Sequence, residues 1–299
     1  MNVLTSSSNS NFTRASDVKI PDIYNRRFKT GKGDLDEVFG GNGFLPGMTF
    51  TLAAAPGTGK TSLLIQILEL CERQGKKTAY ISGEEGIEQL AFTARRLGVT
   101  KVPLANITNI DEICDSIAKH KFDFVVIDSI PALIGDENLN SKELENYISD
   151  TIVKTAKENE CVIGTILHFT KTGTYKGSTK LPHAVDCNMI MTRNKEDAGL
   201  RDIDVTKNRF GSASFVSFAM TETGFDFTAV ETDRNAGTTK GPSKKDKVLG
   251  ALATPKKIED LIKETEINAG YMNVILRELS QEGKIKKSGK GLSAIYSKK

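Results

Sequence analysis

The segment that most constrains this chain is Ala54-Ala55-Pro56-Gly57-Thr58-Gly59-Lys60-Thr61, set between an apolar run at 48–54 and a helical pattern at 60–74. It fits the phosphate-binding pattern G-x-x-x-x-G-K-[ST], with Ala54 in place of the first glycine. Gly57 and Gly59 let backbone amides converge on phosphate oxygens at the positive end of the following helix. Pro56, Gly57, Thr58, Gly59, Lys60, Thr61 and Ser62 are therefore expected to hold a nucleotide. Lys60 would reach the β- and γ-phosphates, and the Thr61 hydroxyl would hold Mg²⁺.

Around this motif, short β-rich runs alternate with amphipathic helical stretches. Strands are expected at 48–54, 77–82, 124–128, 161–168, 187–192, 202–207 and 215–221, and helices at 60–74, 87–97, 110–119 and 141–158. Alternation of this kind predicts βαβ units in an α/β fold with a mostly parallel, doubly wound sheet. The last two strands follow one another without a helix, which predicts an antiparallel edge. Residues 1–23 lack periodicity and read as a mobile tail, so the main domain is expected over 24–231. A polar Gly/Pro-containing stretch at 232–245 reads as a linker. Beyond it, helical patterns at 246–252, 256–264 and 269–281 precede two alternating runs around Ser288-Gly289-Lys290-Gly291. Three helices and a Gly-turned hairpin predict a small winged helix-turn-helix domain over 246–299.

Two further strand ends carry acids. Phe124-Val125-Val126-Ile127-Asp128 places Asp128 where it can orient Mg²⁺ beside the phosphate loop. Tyr80-Ile81-Ser82-Gly83-Glu84-Glu85 ends in two carboxylates, either of which can align an attacking water while the other caps the next helix. No apolar stretch approaches the roughly 20 residues of a membrane helix, and Met1–Asn11 is too polar for a secretory signal. The four cysteines and three histidines lack zinc-ligand spacing. A cytoplasmic chain with reduced thiols and no membrane partner is the expectation.

Several of these segments resemble the RadA/Sms branch of RecA-like ATPases. Thr30-Gly31-Lys32-Gly33-Asp34-Leu35-Asp36, Gly40-Gly41 and Leu45-Pro46-Gly47 are similar to that family's lead-in to its ATPase core, and Ser82-Gly83-Glu84-Glu85 to its S-G-E-E. Lys207-Asn208-Arg209-Phe210-Gly211 is identical to its K-N-R-F-G signature. The resemblance spans about 28–227. It implies ATP as the nucleotide, Glu84 as the water-activating acid, and Lys207 and Arg209 as cations supplied to a neighbouring subunit's nucleotide in a homo-oligomeric hexameric ring or filament. His168 resembles the position that senses the γ-phosphate. The loop at 171–183, with Lys171, Tyr175, Lys176 and Lys180, matches a single-stranded-DNA-binding loop. The family's zinc ribbon and Lon-like domain have no counterpart, and the basic winged-helix candidate stands in their place.

The net charge of +3 is uneven: Lys240–Lys299 holds 14 Lys and Arg against 7 Asp and Glu. Arg277 on the candidate recognition helix and Lys286, Lys287 and Lys290 at the wing are expected to meet DNA. These features predict an ATP-dependent motor on single-stranded DNA, acting in recombination, branch migration or replication-linked unwinding as a helicase or translocase. A DnaB-like replicative helicase and a KaiC-like ATP-driven switch without translocation are the alternatives.

Overall fold

A computed structural model describes residues 13–168, 180–230, 244–265, 272, 275, 276, 279, 280, 282–289 and 294–298. The chain divides into two compact units, Met1–Val230 and Glu231–Lys299. The strands of the first unit are β1 (Thr49–Ala54), β2 (Thr78–Ser82), β3 (Leu104–Asn106), β4 (Phe124–Asp128), β5 (Val162–His168), β6 (Cys187–Arg193), β7 (Leu200–Asn208), β8 (Phe215–Thr221) and β9 (Gly224–Ala229). The helices are α1 (Gly33–Val38), α2 (Lys60–Arg73), α3 (Ile87–Arg96), α4 (Ile110–His120), α5 (Ser141–Glu158) and α6 (Lys180–Ala184).

One sheet joins these strands in the order β3-β2-β4-β5-β1-β6-β7-β8-β9. Pairing is parallel from β3 to β6 and antiparallel from β6 to β9. β1, β2 and β4 are buried along their whole length, as a parallel sheet covered on both faces requires. On one face Leu63, Leu64, Ile67 and Leu68 of α2 pack with Phe28, Phe39, Phe44, Phe50 and Phe124. On the other, Ile113 and Ile117 of α4 and Ile148 and Ile152 of α5 cover Val125 and Ile163. Helix starts are fixed by polar caps. Asn140 and Glu143 form a reciprocal capping box on α5, and the Asn109 side chain accepts from the Asp111 and Glu112 amides at α4.

In the second unit, α7 (Lys244–Ala251) and α8 (Ile258–Thr265) accompany β10 (Lys256–Lys257), β11 (Ile285–Ser288) and β12 (Ile295–Lys298). The strands pair antiparallel in the order β10-β12-β11. Helical residues Met272, Ile275, Leu276 and Leu279 are buried with Val248, Leu252, Leu261, Ile285 and Tyr296. Their i, i+3, i+4, i+7 spacing is one helix face.

The structure corrects the sequence expectations at several boundaries. β3, β9 and α1 were not expected. β3 and α1 are 3 and 6 residues long, too short for periodicity to show. The helix expected from 256 begins at Ile258, because Lys256 and Lys257 pair with Tyr296 and Ile295. α7 starts at Lys244, inside the expected linker. α6 occupies the end of the expected basic loop, so Lys180 opens a helix. Within the expected tail, Ala15–Asp17 and Asp22–Asn25 form 3₁₀ turns. β7 runs from Leu200 to Asn208, two residues earlier and one later than expected, so that Arg209 lies just past its end.

Gly164 pairs with Phe50 across β5 and β1, and a Cβ at 164 would lie 2.3 Å from Phe50 Cζ. Gly164→Ala should therefore cost about 1–3 kcal/mol through overpacking of the ring. Urea denaturation reads this as a lowered midpoint; an unchanged midpoint would mean the ring relaxes freely.

Candidate nucleotide site

Parallel register brings four strand ends to one edge of the sheet. Ala54 pairs with His168 and Ser82 with Asp128, while Ile127 pairs with Thr165 three residues before His168. The phosphate-binding loop leaves β1 at this edge. Gly57 and Gly59 have φ of 70° and 107°, left-handed values that a side chain resists, and Gly59 immediately precedes α2. A Cβ at Gly59 would also lie 2.8 Å from Met220 Sδ. Thr58 is buried and its Oγ1 donates to Ala55 O at 2.7 Å. Lys60, also buried, donates to Ala54 O at 3.2 Å and Ala55 O at 3.4 Å. Pro56 is exposed on the loop, and Ser62 is buried within α2.

The acids gather next to Lys60. The Thr61 hydroxyl is 3.4 Å from Asp128 Oδ2, and the buried Tyr80 hydroxyl donates to the same oxygen at 2.6 Å. Ser129 Oγ donates to Glu84 Oε1 in a short hydrogen bond, and His168 Nε2 lies 3.5 Å from that oxygen. Glu84, Asp128 and His168 each offer a ligand atom, all within 4.8 Å of one another. The Ser82 hydroxyl accepts from the Glu84 and Glu85 amides at 3.1 and 2.8 Å. Burial pushes the Asp128 carboxyl up against the opposing Tyr80 hydrogen bond. It also pushes Glu85 up, with Asp128 and Glu84 adding to the shift. Burial lowers the Lys60 ammonium, while Asp128 and Glu84 oppose that shift.

The arrangement fits Mg²⁺ with a nucleotide. A hard divalent cation takes oxygen ligands, and a hydroxyl and carboxylates converge beside a loop whose amides and lysine suit phosphate. Among the sequence-expected residues the structure brings Lys60, Thr61, Glu84, Asp128 and His168 together. Sequence reasoning missed Tyr80 and Ser129, although both flank motif residues, because their roles depend on the β2–β4 pairing. It also missed Arg193 and Arg201, which donate to Gly57 O at 3.1 Å and Thr58 O at 2.9 Å.

Lys207 and Arg209 lie elsewhere. β6 runs parallel to β1 from Phe50 to Ala54, and β7 returns antiparallel so that Cys187 faces Asn208. The two cations therefore sit toward the edge opposite the phosphate loop, Lys207 level with Thr51 and Arg209 one residue past Asn208, which is level with Phe50. Along the strand that is three to five residues, or roughly 10–17 Å at ~3.3 Å per residue. Lys207 Nζ donates to Val185 O at 2.6 Å and His183 O at 2.8 Å. Arg209 pairs with buried Asp186 at 3.2 Å. The segment just past β7, which carries Arg209, lies in close backbone contact with Gly40: a Cβ at Gly211 would lie 2.4 Å from Gly40 Cα. Arg27 donates to Phe210 O at 3.1 Å from the same side.

Of the expected DNA contacts, Lys171, Tyr175, Lys176, Arg277 and Lys290 lie outside the described residues. Lys180 pairs with Asp150 at 2.8 Å. Lys286 and Lys287 are exposed on β11. No helix among the described residues is long and apolar enough to cross a membrane.

Strand order, phosphate loop and acidic strand ends together define a RecA-like P-loop ATPase core. Solved structures with that fold include the ATPase domain of G40P, with a TM-score of 0.58 and 15% identity over 66% of this chain and 89% of that one. The RadB recombinase gives a TM-score of 0.51 and 24% identity over 66% and 97%. No family model matches the chain. Curated relatives narrow the class. The DNA repair protein RadA of Salmonella typhimurium is 34% identical over 221 residues, 71% of this chain and 46% of its own length. That of Haemophilus influenzae is 33% identical over 205 residues, 66% and 44%. The chain carries a RadA-like core of the RecA family, and it spans less than half the length of the curated relatives it matches.

Lys60→Ala should weaken ATP binding at least about tenfold, since a hydrogen bond to a charged group contributes ~1.5–3 kcal/mol. Titration with a fluorescent ATP analogue measures it; unchanged affinity would remove Lys60 from the phosphate site.

Proposed function

We propose that this protein is an ATP-hydrolysing motor that assembles on single-stranded DNA and acts in DNA repair and recombination in the cytoplasm. The observation that carries the reading is the separation of charges between the two edges of one sheet. Lys207 and Arg209 stand toward the end of the sheet opposite their own phosphate loop, which supports reading them as cations for a neighbouring subunit's nucleotide. In a ring or filament each interface then joins one subunit's Lys60, Thr61, Glu84 and Asp128 to the next subunit's cations.

In that arrangement Lys60 would face the β- and γ-phosphates, and Thr61 and Asp128 would hold Mg²⁺, which would supply charge neutralisation to the phosphates. Glu84, oriented by Ser129, aligns the attacking water and takes its proton. Arg209 and Lys207 release their intrachain carbonyl and Asp186 partners to meet the charge developing on the γ-phosphate. His168, beside Glu84 and at the end of β5, leads directly into 169–179, where the DNA-contacting lysines are expected. A γ-phosphate signal at His168 thus has a short path to that segment.

The second unit is read as a winged helix that begins with α7 at Lys244, two residues before the expected 246–299. Exposed Lys286 and Lys287 on β11 support phosphate contact there, and the relatives' name as DNA repair proteins supports the choice of nucleic acid.

The discriminating experiment measures ATP turnover with and without single-stranded DNA across a salt series. A motor should be accelerated several-fold by DNA, with the acceleration fading as salt displaces phosphate contacts. Turnover indifferent to DNA at every salt concentration would favour a nucleotide-driven switch.

A further inference from the structure

On the outer side of the phosphate-binding loop, away from Lys60 and the acids, Arg201 near the start of β7 is buried, 8% exposed as a residue. Its Nε donates to Thr58 O at 2.9 Å, and its Nη1 to Ala198 O and Leu200 O at 2.8 Å each. Directly across the ladder stands Arg193, whose Nη2 donates to Gly57 O at 3.1 Å. Neither arginine has an ion-pair partner among the described residues. Burial and the neighbouring Arg193 both act against the charged form of Arg201. Like charges opposed across a strand pair destabilise it, and a buried guanidinium satisfied by carbonyls alone is costly to desolvate. Both cations nevertheless grip consecutive carbonyls of the loop.

The chemistry of the loop explains what such a grip achieves. Phosphate binding needs the amides of Gly57, Thr58 and Gly59 turned inward, which requires the carbonyls on the far side to be held outward. Two of these residues are glycines at positive φ, so the loop has backbone freedom to lose when it binds. A planar guanidinium spans Thr58 and the Ala198–Leu200 turn with separate N–H groups, a fork that an ammonium lacks.

We infer that Arg201 is a positioning residue of the nucleotide site, holding the carbonyl face of the phosphate-binding loop so that its amide face is preorganised for the triphosphate. This rests on the nucleotide site described above. Arg201 does not touch the nucleotide. It raises the fraction of molecules whose loop is already in the binding conformation, and apparent affinity scales with that fraction. β7 carries this grip near one end and Lys207 near the other, so loop order in one subunit and finger placement toward the next share a single strand.

The test compares Arg201→Met, Arg201→Lys and wild type. Affinity comes from titration with a fluorescent ATP analogue, stability from urea denaturation, and kcat and KM from steady-state turnover. Arg201→Met should bind ATP about tenfold or more weakly, the loss expected for one hydrogen bond from a charged group. Its KM should rise while kcat at saturating ATP stays near wild type, because the grip is the same in ground and transition states. Arg201→Lys, keeping the charge without the fork, should fall between the two and retain wild-type stability. Should Arg201→Met not fold, Arg201→Lys decides alone: wild-type affinity overturns the inference. The inference is equally overturned if Arg201→Met folds and binds ATP as wild type does, or if it loses kcat with KM unchanged. Lys60→Ala run alongside separates the two levels. If it also leaves affinity intact, the nucleotide site itself is misassigned; if it abolishes binding while Arg201→Met does not, only the role of Arg201 falls.

Discussion

In β1, β2, β4 and β5 the parallel ladder brings Ala54, Ser82, Asp128 and His168 to one edge of the sheet, and the chemistry of the first unit depends on that alignment. Because these strands are buried on both faces, a slip of one residue would turn apolar side chains such as Phe50 and Phe124 away from their core. The packing that fixes the fold therefore also fixes the spacing between the phosphate-binding loop, Asp128 and Glu84. Tyr80 shows the economy of the arrangement. It fills the core beneath α2, and its hydroxyl holds the oxygen of Asp128 that the Thr61 hydroxyl approaches.

The change from parallel to antiparallel pairing at β6–β7 has the opposite consequence. β7 runs back along β6 and carries Lys207 and the start of the K-N-R-F-G segment to the far edge. Gly211 and Gly40 touch there, and Arg27 holds Phe210. The signature is thus rigidly mounted, while its two cations rest on carbonyls and on Asp186, partners that other groups can replace. The proposed completion of the site across an interface would need no movement within the sheet.

Much of this was legible in the sequence because the decisive residues sit at strand ends, where an apolar run stops at a loop or a carboxylate. β1, β4, β5 and α5 appear within a residue or so of their expected bounds, since apolar runs and a long amphipathic pattern are strong local signals. The short β3 and the hairpin strand β9 were not legible, as pairing rather than periodicity creates them. In the second unit, Lys256 and Lys257, polar and helix-compatible, join a strand because Tyr296 and Ile295 pair with them. At the candidate site, Lys60, Thr61 and Asp128 were expected from spacing, and Glu84 from the resemblance. Tyr80, Ser129, Arg193 and Arg201 were not, because each acts through a neighbour that only the sheet order supplies.

The central claim is that one subunit's nucleotide site is finished by the next subunit's cations, and subunit mixing tests it most directly. Arg209→Ala and Lys60→Ala should each be inactive alone, the first with normal ATP affinity and the second without it. Mixed assemblies contain some interfaces that join an intact loop to an intact finger, so ATP turnover should partly return in proportion to those interfaces. No recovery in assemblies shown to contain both subunits would contradict the account and confine Arg209 to its own chain.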